Sequence, residues 1–358
     1  MVLTVAGAAG CTGGSGSGGP SDAGARPSVV APPLLVISQA EAEKVFGRFE
    51  WERRGPSGWK DANAVAKVAT GPLATEWRAG AAVRAVWNGP EPVVSGLVNP
   101  AFVIPAERDQ PAYPRFFVTL SKPNGRADGP ATAIHYFMQE APGGEWKAAV
   151  ETWVATAASV PLDSENVWFA PTTVQLRKTP VAAVSRDAGA AVLSPTAAAD
   201  REVCGRFAQY MSFTTPDEPT SGQFAPGPLT DEMVGKLGAQ AKQSASKGKI
   251  TYSYQHEVTG PQLPVLKLDD GASLVACPLL RAKEVRGKGT AVSFSLDNTS
   301  PQGALLDADG KSWRSTDARL SLTALIQLPP AGTPGPAQVA ACNCVDPQLL
   351  EVTGKRAD

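Results

Sequence analysis

Histidine is nearly missing from this chain: His135 and His256 are the only two in 358 residues. That scarcity excludes imidazole-rich metal sites and multi-histidine catalytic machinery. A surplus of either charge is missing as well, with 33 Lys and Arg against 34 Asp and Glu and a formal net charge of -1. There is no electrostatic footprint for nucleic acid, and no basic run marks an RNA or lipid-headgroup patch. Nor does any stretch approach the roughly 18 consecutive apolar residues of a membrane span. Glycine and proline are plentiful instead, 35 and 32 residues, sitting mostly in tails and turns without a collagen period. Hydrophobic residues at 43% and charged residues at 19% suit a chain that packs a core. The length is about twice that of a typical domain, so two domains of roughly 150 residues are expected.

Residues 1–10 are nearly all small or apolar and end in Ala8-Ala9-Gly10, followed by Cys11 and a Thr-Gly-Gly-Ser-Gly-Ser-Gly-Gly run. This resembles a bacterial lipobox, in which small residues fit the signal peptidase and the cysteine thiol takes the lipid. The resemblance implies that residues 1–10 are the remnant of a signal peptide, that Cys11 is lipidated, and that the membrane is a partner through this anchor. Localisation would be the extracytoplasmic face of the cell membrane. A basic n-region is missing before Gly10, so the reading frame is expected to start upstream. Residues 11–33, with almost no large apolar side chain, read as the lipidated cysteine and a disordered tether.

Setting Cys11 aside, the five cysteines leave Cys204, Cys277, Cys342 and Cys344, an even set suited to two disulfides in an oxidising compartment. Extended residues i and i+2 share a face, so Cys342 and Cys344 both point inward from a late strand and are expected to meet Cys277 and Cys204. A bond between Cys342 and Cys344 themselves is disfavoured by their one-residue spacing. Zinc is the weaker reading, because C-x2-C pairs and nearby histidines are absent.

Folded sequence begins at Leu34-Leu35-Val36-Ile37. Ser38 and Glu41 fit a capping box, and the helix that follows has the apolar stripe Ala42, Val45, Phe46 and Phe49. This opening recurs. Val45-Phe46-Gly47-Arg48-Phe49 is echoed by Val203-Cys204-Gly205-Arg206-Phe207, and Gly71-Pro72-Leu73 by Gly227-Pro228-Leu229 at nearly the same offset. Two matches in order point to a duplicated domain, far longer than a solenoid repeat. In the first copy helical sequence runs to about Val86, broken at Gly55-Pro56 and Gly71-Pro72. Arg115–Leu120 and Thr132–Gln139 then read as a hairpin with a long loop, and Glu145–Ala155 as a further strand. The second copy predicts a helix capped at Ser194-Pro195, another over Leu229–Lys247, and strands at Ile250–Tyr254, Ser273–Val285, Ala291–Leu296, Arg319–Leu328 and Gln338–Val345. Helices first and antiparallel strands after define an α+β chain.

That element order resembles the nuclear transport factor 2-like superfamily, a cone-shaped α+β fold whose curved sheet wraps its helices; cystatin-like domains are the nearest competitor. It is also similar to lipoproteins of high-GC Gram-positive bacteria that carry a tether and two such modules. The resemblance implies two tandem cone-like domains, 34–160 and a disulfide-bonded 192–354, joined by an extended connector over 161–191. Each would hold a cavity between its sheet and its first helices.

Fold alone does not decide what such a cavity does. Along the strand Ile134–Gln139, alternation puts Ile134, Tyr136 and Met138 on one face and His135 and Phe137 on the other. Tyr113, His135 and Tyr136 are the candidate ligand pocket, with Asp109 as a carboxylate partner; His256, after Tyr252 and Tyr254, is a second histidine in similar surroundings. Other motifs fall short. Gly310-Lys311-Ser312 lacks the earlier glycine of a phosphate loop, and Asp307-Ala308-Asp309-Gly310 reaches glycine too early for calcium. Ser244-Ala245-Ser246-Lys247 has none of the partner motifs of penicillin-recognising enzymes, and Asn298-Thr299-Ser300 is a formal sequon in a turn. No catalytic residue, cofactor or metal is expected. The reading is a lipid-anchored, non-catalytic binding or scaffold module of the cell envelope, its partner an envelope protein or a small apolar ligand. The alternative is a small cone-fold isomerase, dehydratase or hydrolase using a Tyr/His/Asp pocket.

Overall fold

Ser38 caps the first helix, its Oγ accepting from the Glu41 N–H at 3.2 Å. The helix it starts, α1 (Gln39–Arg54), buries Ala42, Phe46 and Phe49 and stops at Gly55. Two more helices follow, α2 (Ala62–Val68) and α3 (Gly71–Val86), the latter opening with Pro72 in its first turn. The chain then runs as an antiparallel meander: β1 (Leu97–Val103), β2 (Arg115–Pro123), β3 (Thr132–Gln139) and β4 (Lys147–Val154). This computed structural model describes residues 32–55, 61–87, 96–124, 132–154, 158–162, 172–176, 181–215, 217, 222–246, 249–289, 292–296, 298–345 and 347–357. Cys11, nearly all of the expected tether and parts of the expected connector lie outside them.

The connector contains paired strands, β5 (Ala158–Leu162) with β6 (Thr172–Leu176) and the short β7 (Arg186–Asp187) with β8 (Ala190–Ala191). The second half also places most of its helices before its main strands. Helices α4 (Ala197–Asp200) and α5 (Glu202–Met211), the short β9 (Phe213–Thr214) and α6 (Met233–Ser246) precede a long meander. Its strands are β10 (Ile250–Val258), β11 (Leu266–Lys267), β12 (Ser273–Gly287), β13 (Phe294–Ser295), β14 (Ser312–Leu328), β15 (Gln338–Cys342) and β16 (Gln348–Arg356), with helix α7 (Pro301–Leu306) inserted before β14. Ser194 is not the cap expected: Thr196 holds that position, and the Ser194 Oγ instead donates to Asp200 Oδ2 at 2.6 Å. The strand expected over Ala291–Leu296 shortens to β13, and Gly310-Lys311-Ser312 turns from α7 into β14.

From Pro33 to Asp358 the chain forms one compact unit. Strand alternation makes this possible, because each sheet has two apolar faces. One face of the first sheet packs on α1–α3 through Phe46, Phe49, Phe117 and Phe137. Its other face, with Val118, Ile134 and Tyr136, meets Leu274 and Ala276 of β12 and Leu325 of β14. The opposite face of the second sheet, with Cys277, Leu279 and Leu322, packs on α5 and α6. The layers thus run helix, sheet, sheet, helix, and the antiparallel sheets are curved. A further seam links the halves: Val83 of α3 packs with Ala318, Leu320 and Leu349 of the second sheet.

Candidate functional site

Antiparallel register decides which polar side chains meet inside the first half. Thr119 of β2 lies opposite His135 of β3, which lies opposite Glu151 of β4. Hydroxyl, imidazole and carboxylate therefore form one row on the face turned to the helices. His135 is wholly buried; its ring sits 4.9 Å from that of Phe49 and 6.3 Å from that of Phe137. Its Nε2 is 3.5 Å from Glu151 Oε2, an ion-pair distance longer than an ordinary hydrogen bond. Neither ring nitrogen has a hydrogen-bond partner among the described residues, and neither do the hydroxyls of Thr119 and Ser121 on the same face.

Helices close the row from above. Arg53 of α1 pairs with Glu50 at 2.8 Å, and Glu50 Oε2 accepts from the Leu97 N–H at 2.7 Å. Burial alone would push the Glu151 carboxyl up, but His135 and Arg53 beside it and a hydrogen bond from Trp153 hold it below its ordinary value. Glu76 of α3 behaves in the opposite way. It is 9% exposed and accepts a 2.6 Å hydrogen bond from Ser321 Oγ of β14. Burial, reinforced by the Glu151 charge and opposed by the Ser321 hydrogen bond, raises its carboxyl to about 7. Two carboxyls thus sit in one buried network with their titrations driven apart.

The expected pocket of Tyr113, His135 and Tyr136 does not assemble. Tyr136 points to the inter-sheet core, on the face away from His135, and its hydroxyl has no partner there among the described residues. Tyr113 lies in the loop before β2 with the Arg115 guanidinium 4.7 Å from its ring centre. Asp109 is in a surface turn beside Arg108, 3.8 Å away, not beside His135. Alternation separates the two faces, so adjacent residues of one strand cannot share a cavity. The two carboxylates of the buried network were legible only in part. Glu76 stands on the apolar stripe of α3 between Leu73 and Trp77, and Glu151 follows the buried Ala148, Ala149 and Val150, both anomalies that register and layering together turn into a cluster.

In the second half, His256 accepts a 2.9 Å hydrogen bond at Nε2 from Arg281 Nε, which places the imidazole proton on Nδ1, 3.5 Å from Ser212 Oγ. Burial, then the Arg281 charge, holds this histidine well below its ordinary value. Arg281 also donates to the Cys344 carbonyl at 3.0 Å. The four cysteines all lie in the core beside it, in two disulfide-distance pairs: Cys204 with Cys277, Cα atoms 5.3 Å apart, and Cys342 with Cys344, 5.0 Å apart. This differs from the expected partners. The chain leaves β15 at Cys342 and enters a 3-10 turn over Asn343–Val345, so the i and i+2 side chains no longer project in parallel from a strand. Cys204, in turn, sits over Cys277 where the first half packs Phe46 against Phe102 and Phe137.

Among the described residues no group of His, Cys, Asp and Glu is placed to hold a metal ion, and no helix is long and apolar enough to cross a membrane. Compared with family models, curated proteins and solved structures, the chain matches none.

Proposed function

We propose that this is a non-catalytic binding or scaffold protein of the cell envelope, held on the extracytoplasmic face of the membrane by lipid on Cys11. On this reading its two halves are copies of one cone-like module, and its role lies in surfaces rather than in a reaction centre. The observation that supports it best is the fate of the two histidines. His135 is wholly buried among aromatic rings, and His256 is fixed as a neutral acceptor for Arg281. General acid/base catalysis needs a proton path to a substrate, and both imidazoles are taken up by packing or by an internal hydrogen bond.

The enzyme alternative has one observation in its favour, the alignment of Thr119, His135 and Glu151 across three strands. Thr119 and His135 are both at 0% exposure, and the row meets solvent only at its Glu151 end, where the side chain is 14% exposed. The anchor is tested by expressing the chain with Cys11 behind a functional lipoprotein signal peptide, supplying a clickable fatty acid and fractionating the cells. Cys11→Ala should lose both label and membrane association. A variant that keeps either one sinks the anchor.

A further inference from the structure

The contact between Glu76 and Ser321 joins residues from opposite halves of the chain, 245 positions apart, in a buried place. We propose that Glu76 is a proton-operated clasp: protonated, it seats α3 on the second sheet, and ionised, it loosens that seat. The geometry supplies both states. A neutral carboxyl takes the Ser321 hydrogen bond with no charge to solvate. An ionised one places a second anion near Glu151 in a region closed to water, and a buried charge without a cationic partner is costly.

The charges around it do not offset that anion. From β4, Glu151 faces it as a like charge, and Glu151 is itself the group that His135 and Arg53 act on. From β14 comes only the Ser321 hydroxyl; Arg319, two positions away, is exposed and lies 3.4 Å from Glu351 of β16. Gln348 of β16 approaches α3 at Gly80 with a neutral amide. On α2, Lys67 is exposed, and α7 has no ionisable side chain; on α3 itself Arg78 is exposed. The rest of the seam is apolar apart from Trp87, whose Nε1 donates to the Thr299 carbonyl at 2.9 Å. Once the carboxyl ionises, packing and the Ser321 hydrogen bond must hold α3 against the cost of an unneutralised buried charge.

The folded-state value of about 7 lies above the ordinary 4.5, so the folded protein binds the extra proton. Stability from Glu76 is then full at low pH and lost as pH rises through 7. Urea unfolding of the full chain at pH 6 and pH 8, for wild type and Glu76→Gln, isolates this group from others that titrate nearby. The ratio of the two unfolding constants, wild type over variant, should rise about tenfold from pH 6 to pH 8; an unchanged ratio overturns the clasp. Should Glu76→Gln fail to fold, amide exchange of the wild type decides. Protection of Gly71–Val86, corrected for intrinsic exchange, falls from pH 6 to pH 8 while that of β2 holds, or the proposal is wrong.

Discussion

Tyr136 shows how single residues settle inside this protein. It is wholly buried, its hydroxyl has no partner among the described residues, and burial pushes that phenol far above its ordinary value. An orphaned polar atom costs its full desolvation, so Tyr136→Phe should raise stability by about 1 kcal/mol in urea unfolding. A loss of stability would mean the hydroxyl has a partner. His256 answers to pH instead. Its folded value is depressed, so its contribution is present above pH 6.5 and is lost as pH falls, when the unfolded chain takes up a proton that the folded state refuses. A His256→Gln variant should show a shallower loss of stability between pH 7 and pH 5 than wild type, measured by the same unfolding series. An identical slope would contradict the burial of this ring.

At the scale of elements, local signals were legible where one physical rule dominates. The Ser38 cap, the stop at Gly55 and the start at Gly71-Pro72 follow from capping and from the conformations of glycine and proline. Strands β2, β3 and β4 followed from runs of aromatic and β-branched residues. β1 was not legible, because Asn99-Pro100 interrupts it at a register shift, and proline reads as a breaker. The disulfide pairing depended on where β15 gives way to a turn, a tertiary matter. Cys204–Cys277 closes a sequence separation of 73, which in the chain-entropy model stabilises by about 4 kcal/mol. Peptide mapping without reduction should recover a Cys204–Cys277 linked pair, and Cys204→Ala with Cys277→Ala should lower stability by about that amount. A linked pair joining Cys277 to Cys342 or Cys344 would contradict the structure. Where β16 crosses Trp313, a Cβ on Gly354 would lie 2.6 Å from the indole. Gly354→Ala should therefore cost about 1–3 kcal/mol through forced repacking, read as a lower urea midpoint; an unchanged midpoint would show that the ring yields freely.

For the whole molecule, the sequence recurrence of Val45–Phe49 and Gly71–Leu73 is what the proposed duplication rests on; the structure has helices and curved antiparallel sheet in both halves, four strands in the first sheet and eight in the second. The packing of one sheet against the other was not visible, because a strand buried on both faces looks alike whichever layer covers it. The same limit hid the polar network: Glu76, Glu151 and Ser321 are far apart in sequence and meet only through register and layering. The shared inter-sheet core of Tyr136, Leu274 and Leu325 makes the halves cooperative, so a single unfolding transition is expected by both near- and far-ultraviolet circular dichroism. Two transitions would show halves that fold alone. The central proposal, that the internal row of Thr119, His135 and Glu151 is structural and not catalytic, is tested most directly by complementation. Full-length Thr119→Val and His135→Gln chains, shown to be folded and correctly located, are returned to cells lacking the wild-type protein. The account predicts that both restore the wild-type phenotype; loss of the phenotype with folding and location intact would contradict it.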